Sequence, residues 1–287
     1  MSPFKLITYN KQTTIKSPFC VQGYSMKKNK KVVVECLPAR ANTGIIFIIK
    51  NQPLRVDHQY YLPSKAHTTI LAKGRFKIQT VEHILSAFYG LNIDNVIINI
   101  QGDNQLPLLD GSSQLYAKKI IKTGIKYLPE KRKVIKITAP HIIKSNENSL
   151  AIFLPHSKLV IQAIINFNNL ISVQEQEFIC ETNNYYQQIS AARTFFIKHY
   201  DRKRWQVLQN KFRLLSDDPK KSQVIVYNQK EYITKLRYLN EPVRHKILDM
   251  LGDLALLGHQ LVGKIIVYRP GHSFTHQIIK QILNSLT

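Results

Sequence analysis

The chain has 287 residues, 44% of them hydrophobic, with 41 Lys and Arg against 18 Asp and Glu and a formal net charge of +23. Length and composition fit one large or two medium folded domains and exclude a disordered chain. No apolar run spans a bilayer, the start Met1-Ser2-Pro3-Phe4-Lys5 has no secretory core, and Cys20, Cys36 and Cys180 form no Cys-x-x-Cys pair, which points to reduced thiols in a reducing, cytoplasmic compartment.

In chain order, 31–37 and 45–50 read as strands joined by the turn-prone segment 38–44. Thr80 is placed to cap a helix from 81 to about 89, with Ile84, Leu85 and Phe88 on its apolar stripe and Gly90 as stop signal. Residues 93–100 read as a strand. After the turn Asp110-Gly111-Ser112 comes a helix over 113–122, with Leu115, Ile120 and Ile121 turned inward. The charged stretch 128–133 is the candidate boundary between two α+β halves, 1–130 and 131–287. Strands follow at 134–138, 151–154 and 159–167, then a helix near 184–190 leading into Ala191-Ala192-Arg193-Thr194-Phe195. Glu241-Pro242-Val243 starts a long helix through 257, ended by Gly258. A strand at 264–268, a turn at Arg269-Pro270-Gly271-His272 and a helix from about 275 close the chain.

His245 and Asp249 stand four residues apart, so on a helix they share one face. An imidazole and a carboxylate at that spacing, with a third ligand from elsewhere, make a catalytic zinc set that keeps one position open. Glu82, beside His83, is a carboxylate near such a metal without having to bind it. The same spacings also suit a surface pair at Glu82-His83 and a hydrogen bond across one turn at His245 and Asp249. Asp253 could extend the polar stripe, and His272 could be a loop histidine. With 10 histidines in the chain, spacing alone leaves these readings open.

The basic charge has three readings: nucleic-acid binding, compositional drift, or attraction to an anionic substrate or membrane surface. Lys and Arg are dispersed, with only small clusters such as 27–31 and 131–133, so drift ranks first and no nucleic-acid partner is expected.

The flanking residues carry more. Thr80-Val81-Glu82-His83-Ile84-Leu85-Ser86-Ala87 with Gly90-Leu91-Asn92-Ile93-Asp94-Asn95 resembles the metal-binding segment of the UDP-3-O-acyl-N-acetylglucosamine deacetylases, zinc amidases of lipid A biosynthesis. Further matches follow in order: Pro38 to Ile45, Pro107-Leu108-Leu109-Asp110-Gly111-Ser112, Ala192-Arg193-Thr194-Phe195, Val243 to Leu254, Leu257-Gly258-His259 and Gly271-His272. The resemblance implies two similar α+β domains, each a sheet layered with helices, with the active site at their interface. By position it puts the zinc ligands on His83, His245 and Asp249, and the general base on Glu82, assisting attack of zinc-bound water on the N-acetyl carbonyl. It puts the oxyanion and leaving-group histidine on His272, its orienting carboxylate on Asp253 and a hydroxyl donor on Thr194. Lys246 and Phe195 fall on substrate-binding positions. The implied partner is the UDP-sugar alone, met by a cytoplasmic monomer in passing contact with an anionic membrane surface. His259 is expected to satisfy local carbonyls. Two segments depart from the family pattern, Gly23-Tyr24-Ser25-Met26-Lys27 and residues 217–222, and both bear on how the 3-O-acyl chain is held.

Overall fold

The computed structural model describes residues 2–26, 28–64, 67–145, 148–167, 171–197, 224–227, 232 and 234–286. The chain opens with β1 (Phe4–Ile15), β2 (Phe19–Tyr24), β3 (Lys31–Pro38), β4 (Ile45–Ile49) and β5 (Gln52–Arg55). The hairpin β6 (Ile70–Lys73) and β7 (Phe76–Gln79) leads into helix α1 (Glu82–Gly90), β8 (Val96–Gln101) and helix α2 (Gln114–Thr123). Next come β9 (Ile125–Ile137), β10 (His141–Lys144), β11 (Leu150–Leu154), β12 (Leu159–Ile165) and β13 (Gln174–Ile179). After a short helical stretch at Tyr185–Ile189 follow β14 (Phe195–Ile197), β15 (Ile225–Tyr227), helix α3 (Glu241–Leu254), β16 (Gln260–Tyr268) and helix α4 (His272–Leu286). The fold class is α+β, as the sequence pattern implied.

Two sheets carry the architecture. One has the order β2-β3-β8-β4-β5, and in β8 Val96, Ile98 and Ile100 alternate with outward residues at the period of two that a half-buried strand requires. The larger runs β1-β9-β16-β11-β10, with β12 parallel to β16 and β13 on the far side of β12. β1 is antiparallel to β9, from Phe4 opposite Ile137 to Ile15 opposite Ile125, so the chain's first strand joins the sheet of its second half. The charged stretch 128–133 lies inside β9, where Lys131 and Lys133 face solvent while Leu128, Arg132 and Val134 are buried.

Every residue of α1 is buried, Glu82 and His83 included. A helix apolar on nearly all sides belongs in a core, and polar groups taken there need partners. Ile84, Leu85 and Phe88 of α1 share one hydrophobic cluster with Ile247, Leu248 and Leu251 of α3, Phe47 and Ile98 of the smaller sheet and Ile161 and Ile265 of the larger. The two helices approach closely at Gly252, where an added Cβ would sit 2.1 Å from the Glu82 carbonyl oxygen.

Three local expectations change. Thr80 does not cap α1: the capping position is Val81, without a side-chain hydrogen bond, and Thr80 turns the chain with φ +62°. On α2 the inward face is Tyr116, Ala117 and Ile120, while Leu115 and Ile121 are 37% and 44% exposed. The large ring of Tyr116 takes the buried sector, which at 100° per residue turns Leu115 away. α4 starts at His272, because the Gly271 carbonyl already accepts from both the N–H and the hydroxyl of Thr275. Among the described residues no helix is long and apolar enough to cross a membrane. The segment 217–222 and Lys27 lie outside the described residues.

Candidate functional site

The site begins at the first turn of α1. Thr80 adopts a left-handed conformation that is uncommon for a β-branched residue, and its hydroxyl accepts a hydrogen bond from Gln105 Nε2 at 3.3 Å. That turn delivers Glu82 and His83 where α1 meets α3. The Glu82 carboxylate accepts hydrogen bonds from the Thr68 hydroxyl at 2.7 Å and the Thr69 N–H at 3.0 Å. Burial pushes its carboxyl up to about 7, against the pull of His272 and the Thr68 hydrogen bond.

From α3 come His245 and Asp249. His245 Nδ1 lies 3.0 Å from the Ala192 carbonyl, so this nitrogen carries the proton and donates, and Nε2 keeps its lone pair for the cluster. His245 Nε2 is 3.3 Å from Asp249 Oδ1, and His83 Nε2 is 3.9 Å from the same oxygen. One donor atom from each of His83, His245 and Asp249 lies within 4.8 Å of the others. Burial lowers His83 to about 3 and lowers His245 too, so both rings are neutral, the form that ligates metals. Burial opposes ionisation of Asp249, but His245, Lys246 and His272 outweigh it and hold its carboxyl well below the usual range. His83 Nδ1 is buried without a hydrogen-bond partner among the described residues, so no hydrogen bond ties up either nitrogen of that ring. Two neutral imidazoles and one ionised carboxylate, with donor atoms that converge, fit a divalent cation in chemistry and spacing.

A second dyad adjoins them. His272 Nδ1 lies 2.8 Å from Asp253 Oδ2, and its Nε2 is 3.9 Å from Asp249 Oδ2. Burial alone would lower this ring, but the charge and hydrogen bond of Asp253, with Asp249 and Glu82, raise it to about 9. His272 is therefore an imidazolium at neutral pH. Asp253 is fully buried and its other oxygen accepts from the Thr69 hydroxyl. Thr69 thus holds Glu82 through its backbone and Asp253 through its side chain.

The remaining expected residues divide. Lys246 Nζ lies 2.9 Å from Asp249 Oδ2 and 5.4 Å from the Phe195 ring centroid, so a carboxylate of the cluster already engages its charge. The Phe195 ring also meets His245 edge-on at 6.4 Å. Thr194 is fixed through its backbone, donating to the Gly111 carbonyl at 2.7 Å and accepting from the Ile225 N–H at 2.8 Å. Among the described residues its hydroxyl bonds no member of the cluster. His259 takes no part in the cluster; burial lowers its ring first, and the charges of Lys133 and Arg55 lower it further. Burial pushes the Cys180 thiol up to about 12 and raises Cys36 as well, which removes both as nucleophiles at neutral pH.

Sequence reasoning missed the supports. Thr68, Thr69 and the Ala192 carbonyl carry no motif of their own. Arg193 and Glu241, 5% and 0% exposed, form a buried pair in which Arg193 N–H and Nε both donate to Glu241 Oε1 at 2.9 Å. This pair ties the segment bearing Ala192 to the first turn of α3. The adjacent Ala-Arg of the 191–195 motif was its one available signal.

Residues 12–284 match the family model described as LpxC, UDP-3-O-acyl N-acetylglycosamine deacetylase. A UDP-3-O-acyl-N-acetylglucosamine deacetylase of Nautilia profundicola is 33% identical over 279 residues, covering 95% of this chain and 92% of that protein. The enzyme of the same name from Campylobacter hominis is 34% identical over 278 residues, covering 95% and 92%. That of Chlamydia pneumoniae is 30% identical over 291 residues, covering 96% and 98%. A match of this extent spans both helices of the cluster and every strand that positions them, and the chain belongs to the LpxC family of UDP-3-O-acyl N-acetylglycosamine deacetylases.

Proposed function

We propose that the chain hydrolyses the N-acetyl group of UDP-3-O-acyl-N-acetylglucosamine in lipid A biosynthesis, giving acetate and the free 2-amino sugar. The observation that carries this reading is the convergence of His83, His245 and Asp249 beside Glu82 and the His272–Asp253 dyad, in a chain of this family. His83, His245 and Asp249 are the residues that would hold the metal, and zinc suits two imidazoles and a carboxylate with an open position. When bound, it supplies Lewis acidity toward the amide carbonyl and toward water near neutral pH.

Glu82, anchored by Thr68 and Thr69, takes a proton from the attacking water; a carboxyl near 7 is matched to a base at neutral pH. As the new C–O bond forms, the carbonyl oxygen gains charge, which imidazolium His272 opposes. When the C–N bond breaks, a proton goes from His272 to the departing amine. Asp253 keeps that ring charged and aligned. In this reading Thr194 donates to the same oxyanion, and Lys246 and Phe195 meet the sugar and diphosphate. The active site lies between the proposed halves 1–130 and 131–287, in a cytoplasmic monomer that touches anionic membrane surface in passing.

The test is acetate release from UDP-N-acetylglucosamine with and without the 3-O-acyl chain. Release should favour the acylated sugar strongly. Equal rates on both would move the reading to a different N-acyl sugar.

A further inference from the structure

We propose that a basic cleft at the far ends of α1 and α3, lined by Arg55, Lys131, Lys133 and His259, is a second ligand site that takes the phosphate group of a small molecule. It is an open cavity of about 290 Å³, near the lower end of small-ligand pockets, so a phosphate or diphosphate head suits it better than a bulky ligand. Tyr89 lines it at the last turn of α1, whereas Glu82 starts that helix; seven residues at 1.5 Å each put about 10 Å between them. Ala255 and Gln260, just beyond the end of α3, line it as well.

The charge balance points to an anion. Among the described residues Asp94 is the one carboxylate lining the cavity, and it is taken: Arg132 Nη2 lies 2.8 Å from its Oδ2, and the Thr13 N–H donates to it at 2.7 Å. That leaves Arg55, Lys131 and Lys133 with no ion-pair partner among the described residues. Their convergence is felt by His259, whose ring burial lowers first and which Lys133 and Arg55 push further toward neutral. Such crowding of like charge is unfavourable unless an anion relieves it.

A second, independent observation lies in the same wall. Arg132 is 8% exposed and spends its terminal nitrogens on Asp94, Asn92 and Thr13, yet its Nε is buried without an acceptor among the described residues. An orphaned guanidinium donor is costly in a closed core and leaves this wall of the cleft short of acceptors. The site stands apart from the proposed deacetylation, since none of its residues belongs to the acid–base cluster.

The experiment uses the full-length, metal-loaded protein with inorganic phosphate as probe. Binding is read by calorimetry and by the imidazole NMR resonance of His259, assigned through His259→Gln. Phosphate should move the His259 titration to higher pH in the wild type. In Lys131→Glu/Lys133→Glu, phosphate affinity should fall by at least about tenfold, with acetate release unchanged. Arg55→Gln, a milder change, should weaken binding in the same direction. Vesicles of phosphatidylglycerol in phosphatidylcholine separate the two sources of phosphate. Binding of free phosphate, with vesicle association unaffected by the substitutions, assigns a soluble ligand. Vesicle association lost in the double variant, without a response to free phosphate, assigns a lipid headgroup phosphate. If neither probe depends on Lys131 and Lys133, or His259 responds to neither phosphate nor the vesicles, the site is not an anion site.

Discussion

Glu82 and His272 hold opposite charges in one buried space, and each shifts the other in the direction that the proposed chemistry needs. Burial raises Glu82 to about 7, while Asp253 and its neighbours raise His272 to about 9. The base works ionised, so turnover should rise with pH through the Glu82 titration. The acid works protonated, so turnover should fall as His272 loses its proton, and kcat against pH should be bell-shaped. A bound cation lowers both limbs together. Asp253→Asn removes the charge that holds the imidazolium, so the alkaline limb alone should move to lower pH; an unshifted limb would remove Asp253 from this role. Glu82→Ala and His272→Ala should each lower turnover by about 10²–10⁴-fold with metal content unchanged, since neither is assigned as a ligand. Elemental analysis of the purified variants checks this, and loss of metal from either would reassign it.

At the scale of elements, the site depends on how closely α1 and α3 approach. Gly252→Ala would place a Cβ 2.1 Å from the Glu82 carbonyl and force the helices apart, costing about 1–3 kcal/mol or more and lowering melting temperature and activity together. Gly271→Ala meets nothing within 4 Å and should leave stability unchanged. Breaking the buried pair with Arg193→Met should cost about 3–5 kcal/mol, because it strands Glu241 in the core; a thermal melt within a degree of wild type would refute that. α1 and α3 were legible because apolar spacing and glycine stops mark them on the sequence. β1 and the hairpin β6–β7 were not: their residues mix Lys, Thr and Gln among apolar ones, β1 is held by pairing with the distant β9, and β6 and β7 are four-residue strands paired with each other. The same contrast holds within the site. His83, His245 and Asp249 stand out through the motifs that flank them, where spacing alone left other readings open. Thr69 and the Ala192 carbonyl act through a backbone N–H, a lone hydroxyl and a C=O, groups that leave little trace in a sequence and gain meaning only from tertiary placement.

Across the whole molecule, the +23 charge is not spread without consequence. Much of it is solvated surface, as at Lys131 and Lys133 along β9, yet those lysines converge with Arg55 on a cleft that holds no free carboxylate. On α1 the acid–base cluster uses the first turn, at Glu82 and His83, whereas the basic cleft is lined by Tyr89 at the last turn and by Ala255 just beyond α3. Both draw residues from the two halves of the chain, so the packing of α1 on α3 is what makes either possible. The central claim is that His83, His245 and Asp249 hold a metal on which deacetylation depends. Metal analysis of purified protein, paired with acetate release before and after chelator treatment, tests it most directly. One metal per chain, loss of activity on stripping and recovery on adding zinc is the expected result, with His245→Ala unable to recover; full-rate acetate release from metal-free protein would contradict it.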